Sequence, residues 1–237
     1  MKLTKKQQEQ IKKQLLQHQR PTLEAKMVLD AKTTLTLTIQ KGVVGSDIMS
    51  SGIYLAKFLY KHKNIYQKKI CLDMGCGPGT QGLIMAKYGA TGVLCTDISP
   101  LAIKNTQENA KKMKLHVHAS VSDLFKNIPK QKFDVIVFNH PFFPEEAENF
   151  GDEITKDVML RKSMLGGTTL IHDFLKDVSS YLKKNGVLIM PFFRFAGKEN
   201  DPGRYAKKYK LKIVKKEKVL SKQGLQKGDF SIYVFSW

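Results

Sequence analysis

Two short stretches carry residue types that could do chemistry, and both follow runs that read as buried strands. In CLDMGCGPGT, residues 71–80, the carboxylate of Asp73 precedes Gly75, Gly77 and Gly79, which join a strand-like run to a helix-like one. Glycines at such a junction let the backbone approach a nucleotide-like ligand closely. Gly77, Gly79 and Gly82 also satisfy the dinucleotide pattern G-x-G-x-x-G, so the loop alone does not choose a cofactor. In FDVIVFNHPFFP, residues 133–144, an apolar run with β-branched bias ends at Asn139 and turns through His140, Pro141, Phe142, Phe143 and Pro144. An Asn at the carboxyl end of a strand faces the crevice where open α/β sheets bind ligands. The competing reading is a turn with a hydrophobic plug.

Asp97 ends the next strand-like run, GVLCTD. A carboxylate there can accept both hydroxyls of a ribose, which supports a nucleoside cofactor without naming it. Asp97 or Ser99 could equally cap the following helix. Asp123, in SVSDLF, stands beyond a third strand.

The elements that must position these groups alternate. Strands are expected over 69–74, 93–97, 115–119, 135–138 and 187–193, with helices over 80–88, 101–113 and 168–182. Such alternation predicts a doubly wound, mainly parallel sheet with helices on both faces. Two strand-like segments, 211–220 and 230–237, predict a terminal hairpin that adds an antiparallel strand. Upstream, 4–19 is Lys/Gln-rich with helical spacing, 23–29 reads as a second short helix, 33–39 alternates like a half-buried strand, and 50–60 reads as a helix. Residues 194–204 read as a loop. The expected division is a helical extension with a short strand over 1–40 and one catalytic domain over 41–237.

Composition bounds the partners. Lys and Arg number 40 against 21 Asp and Glu, a net charge of +19 that favours polyanions such as RNA or ribosomes. A solvated Lys-rich surface is the alternative. Cys71, Cys76 and Cys95 form no C-x-x-C pair, and His116, His118 and His172 lack ligand spacing, so neither a disulfide framework nor a metal site is expected. No segment has the apolar length of a signal peptide core or a membrane span, and a cytoplasmic location without membrane contact is expected.

The D-x-G-x-G-x-G loop resembles the S-adenosylmethionine loop of class I methyltransferases, and NHPF resembles the N-P-P-Y motif of amino methyltransferases. Leu165 to Met190, LGGTTLIHDFLKDVSSYLKKNGVLIM, is similar to the G-G-x-x-G-L segment of HemK-like glutamine methyltransferases, with Thr169 at the third glycine and Leu170 at the leucine. His140 stands where that family has Pro. The resemblance implies a Rossmann-like class I fold with a seven-stranded sheet. It implies S-adenosylmethionine held by Asp73, Gly75, Cys76, Gly77, Gly79, Asp97, Ile98, Asp123, Leu124 and Asn139. It also implies a methyl acceptor held by Asn139, by the main-chain carbonyl of His140, by Pro141 and by a stacking Phe142. The acceptor class it favours is a glutamine amide of a translation protein, such as a release factor or ribosomal protein. An exocyclic amine of RNA or DNA is the alternative, and a non-catalytic RNA-binding protein on the same fold is another. A dehydrogenase fits less well, since no Y-x-x-x-K pair is present.

Overall fold

The structure, a computed structural model, describes residues 5–45, 50–142, 158–221 and 228–237. Helix α1 (Lys5–His18) leads into a hairpin of β1 (Leu23–Val28) and β2 (Thr34–Ile39), followed by α2 (Ser50–Lys61). The central run is β3 (Ile70–Met74), α3 (Thr80–Lys87), β4 (Gly92–Asp97), α4 (Pro100–Lys112), β5 (His118–Val121) and β6 (Phe133–Phe138). Then come α5 (Val158–Lys162), α6 (Gly167–Tyr181), β7 (Leu182–Phe193), β8 (Lys212–Ser221) and β9 (Gly228–Ser236).

Seven strands form one sheet in the order β5-β4-β3-β6-β7-β9-β8. The ladders from β5 to β7 are parallel, and β9 runs antiparallel to both β7 and β8. The fold is therefore the Rossmann-like mixed sheet that the alternation predicts, with the terminal hairpin supplying the antiparallel strands. Strands β3 and β6 lack polar alternation because both of their faces are covered. Cys71, Val135 and Val137 pack with Leu55, Leu83 and Ile103 in one core cluster. Leu72, Ile136 and Phe138 pack with Phe174 and Val178 of α6 in the other.

Three expectations need correction. Residues 23–29 are not helical: Leu23–Val28 is a strand paired along its length with β2, burying Ala25 and Met27 while Glu24, Lys26 and Val28 face out. That burial has period two, which only a strand can satisfy. The strand expected over 115–119 begins at His118, because Lys114 adopts φ 54° and the N–H of Leu115 still donates to Ala110 O at the end of α4. The segment expected to be a loop over 194–204 is wound into three single-turn 3-10 helices, Arg194–Ala196, Lys198–Asn200 and Pro202–Arg204.

Candidate active site

The sheet brings the two chemistry-bearing turns together at its switch point. Met74 and Phe138, the last residues of β3 and β6, are register partners, so Gly75 and Asn139 leave adjacent strands side by side. This is where strand order reverses and the following helices diverge, which opens a crevice. A cavity of about 810 Å³ occupies it, within the usual range for small-molecule sites. Gly75, Cys76, Gly77, Asp97, Ile98, Asp123, Leu124, Asn139 and Pro141 line it, whereas Asp73, Gly79, His140 and Phe142 do not.

The four residues off the wall have structural reasons to be there. Asp73 is fully buried beneath the loop; its Oδ2 accepts the Gly82 N–H at 2.7 Å, and its Oδ1 has no partner among the described residues. Burial pushes its carboxyl up to about 7 against the opposing effect of the Gly82 N–H. Gly79, at φ 88°, is the cap residue of α3, and a Cβ there would stand 3.0 Å from Thr106 Cγ2. Phe142 is 2% exposed, packed in the core, and meets His140 edge-on with ring centroids 4.9 Å apart. Its ring does not face the large cavity, where the sequence reading has it stacking on an acceptor; it lines a smaller chamber next door with His140. Phe143 and Pro144 lie outside the described residues.

Asp97 holds the loop. Its Oδ2 accepts the Gly77 N–H and its Oδ1 the Ser99 N–H, each at 2.9 Å. Burial raises its pKa, while the backbone N–H groups of Ser99, Gly77 and Ile98 work the other way. Ser99 caps α4 by accepting the Ala102 N–H, which leaves Asp97 free to serve the loop. Gly77 has φ 54°, and a Cβ there would press on Val44 O at 3.3 Å. Asp123 sits at the rim, paired with Lys126 at 2.6 Å, and Leu124 beside it takes φ 48°. Asn139 Oδ1 is buried on the cavity wall with no partner among the described residues.

Several contributors are absent from the motifs. Gly42, Val43 and Val44 close one side of the cavity, and Gly166, Thr169 and Leu170 of the α6 start close another. The 42–45 segment is tied to α1, with Gly42 N–H donating to His18 O at 2.9 Å and Gly45 N–H to His18 Nδ1 at 3.2 Å. The hairpin before it is clamped to α4. Asn109 accepts the Thr38 N–H through Oδ1 and donates through Nδ2 to both Thr38 O and Pro78 O, while Asn105 accepts the Gln40 N–H. Two asparagines four apart on the buried face of a helix are the sequence signal that would have found this clamp. Among the described residues no helix is long and apolar enough to cross a membrane, and no group of three or more His, Cys, Asp or Glu side chains could hold a metal ion.

Solved structures share this architecture. The T. thermophilus 16S rRNA N2 G1207 methyltransferase matches with TM-score 0.59 and 16% identity over 91% of this chain and 49% of that one. A Pyrococcus horikoshii protein, PH0226, matches with TM-score 0.58 and 20% identity over 81% and 92%. Among curated relatives, the putative protein N5-glutamine methyltransferase of Methanocaldococcus jannaschii is 35% identical over 143 residues, 57% of this chain and 66% of the relative. Human methyltransferase HEMK2 is 30% identical over 166 residues, 67% of this chain and 73% of its own. The release factor glutamine methyltransferase of Borreliella burgdorferi is 34% identical over 129 residues, 52% and 44%. The chain spans about half the length of most of the curated relatives it matches. The family model described as Methyltransferase small domain matches residues 34–219, from β2 through β8 and across both chemistry-bearing turns, and the chain belongs to that family.

Proposed function

We propose that the chain is an S-adenosylmethionine-dependent N-methyltransferase whose acceptor is a glutamine side-chain amide of a translation protein. The observation that carries this reading is the juxtaposition of a glycine loop ending β3 with a buried, unpartnered Asn139 Oδ1 ending β6, on the wall of one cavity. The residues present fit the cofactor. Gly75 and Gly77 offer backbone to its methionine part, Asp97 stands where a ribose would be held, and Asp123 with Leu124 borders the place for a base. When bound, S-adenosylmethionine supplies an electrophilic methyl group on a sulfonium centre.

The rest is positioning by this chain's own atoms. An amide nitrogen is planar and delocalised, so it must be aimed rather than strongly deprotonated. Asn139 Oδ1 accepts one of its N–H groups, and the His140 main-chain carbonyl can take the other. Holding reacting groups in line is worth several orders of magnitude in rate. The relatives named for glutamine methylation favour the amide as acceptor. The charge of +19 favours a ribosome-associated protein acceptor, or RNA itself as the second reading.

Methyl-labelled cofactor incubated with the enzyme and a ribosome-containing lysate tests this. Label should enter protein, survive nuclease and leave as methylamine on acid hydrolysis, the signature of an N-methylated amide. Label released as a methylated base would reject the amide and select the second reading.

A further inference from the structure

Beside the large cavity lies a chamber of about 40 Å³ whose lining includes Val44, Ser51, Asn139, His140, Pro141 and Phe142. Val44, Asn139 and Pro141 also line the large cavity and so form the partition between the two. His140 is 1% exposed, and neither of its ring nitrogens has a hydrogen-bond partner among the described residues. Phe138 and Phe142 meet the imidazole edge-on, which packs it without satisfying it. A buried donor and a buried acceptor left unpaired are unfavourable, so a Phe or Pro would fill a purely structural role better. Asn139 Oδ1, the other unpartnered atom, stands on the partition.

We propose that His140 is a specificity-determining residue, hydrogen-bonding the methyl acceptor inside this chamber, and that the group it reads is a primary carboxamide. The inference rests on the methyl-transfer reading above. Burial holds the imidazole pKa down at about 3, so near neutral pH the ring is uncharged, with one N–H to give and one lone pair to receive. So weak a base is poorly matched to general-base work at that pH, which leaves recognition. A carboxamide complements the pair: its N–H goes to Asn139 Oδ1 on the partition and its carbonyl oxygen to the ring N–H of His140. A base amine beside a ring nitrogen offers the same donor-acceptor pattern, so size decides. At roughly 10–15 Å³ per water-sized atom, the chamber takes about three such atoms. That suits the carbon, oxygen and nitrogen of a carboxamide and excludes a purine.

The test compares wild type with His140→Phe, which keeps a ring and removes both nitrogens, and His140→Asn, which keeps a donor and an acceptor. Acceptors are a glutamine-containing peptide and an adenine-containing oligoribonucleotide, with S-adenosylhomocysteine affinity measured alongside. His140→Phe should raise KM for the peptide by roughly 10- to 100-fold with a smaller change in kcat and unaltered S-adenosylhomocysteine affinity, and His140→Asn should recover part of it. Amide methylation with an unchanged KM in both variants would overturn the role of His140 while leaving the proposed function standing. Methylation of the oligonucleotide alone would overturn the carboxamide and the glutamine reading together. Should His140→Phe not fold, wild-type protein with 15N-labelled histidine is titrated with propionamide in the presence of S-adenosylhomocysteine. A shift of the His140 ring nitrogens supports the inference, and an unmoved resonance rejects it.

Discussion

Asn139 and Asp73 show how side chains divide the work between chemistry and support. Asn139 Oδ1 is on the wall and unpartnered, so Asn139→Ala should lower turnover by on the order of 10²–10³, the loss typical of one preorganised polar contact, while cofactor affinity holds. Isothermal calorimetry beside steady-state kinetics separates the two, and an unchanged kcat on the true acceptor would remove Asn139 from the reaction. Asp73 acts from beneath the loop, and its effect is on stability. Its carboxyl is raised by burial from the ordinary range to about 7. A raised folded-state value means its contribution is complete below about pH 4 and fades as pH climbs through 7. Asp73→Asn keeps an oxygen for the Gly82 N–H and removes the titration. The variant's melting temperature should therefore fall less than that of wild type between pH 5 and pH 8, as read by circular dichroism. Parallel curves would show that Asp73 is ionised at no cost in the native protein.

Strands β3 and β6 were legible because their apolar runs are local and each ends in a diagnostic turn. The cover of the cavity was not. The 42–45 segment gains its place only through His18, and the hairpin only through Asn105 and Asn109, which lie 65 and 71 positions from Gln40 and Thr38. No periodicity within a window of sequence reports contacts at that separation. The same blindness turned β1 into an expected helix, because its partner β2 and the surface it covers decide its state rather than its own propensity. Likewise Phe142 announces an aromatic beside a reactive Asn, yet only the fold shows it turned into the core. The clamp is testable. Asn109→Ala removes three hydrogen bonds at a buried site and leaves Thr38 and Pro78 groups unpaired, so it should cost about 2–3 kcal/mol of unfolding free energy in urea. Deleting residues 1–20 takes His18 from the 42–45 segment and should weaken S-adenosylhomocysteine binding by roughly 10-fold, as expected for two lost hydrogen bonds. Full affinity after that deletion would mean the segment holds its place without α1.

At the scale of the whole molecule, charge and catalysis are spatially separate. Strand β8 is the outermost strand, four positions from β3 across the sheet, and it carries Lys212, Lys215, Lys216 and Lys218. Lysines on an edge strand discourage strand addition by another chain, so part of the charge has a protective role. Protection does not require the excess that gives +19 over the whole chain, or the eleven Lys and Arg against four acids within residues 198–237. If this edge meets ribosomal RNA while the opposite turns meet the acceptor, binding should be governed by counterion release. Log affinity would then fall linearly with log salt, with a slope of about 0.7–0.9 per phosphate neutralised. Lys207, Lys212 and Lys218 are exposed, and none lines the cavity. Changing all three to Gln should reduce that slope by about 2–3 in a filter-binding titration with ribosomal RNA, while S-adenosylhomocysteine affinity and peptide methylation stay as in wild type. An unchanged slope would place the polyanion contact elsewhere, the amino-terminal basic segment being the next candidate. Salt-independent binding would leave the charge as a solvated surface with no polyanion to meet.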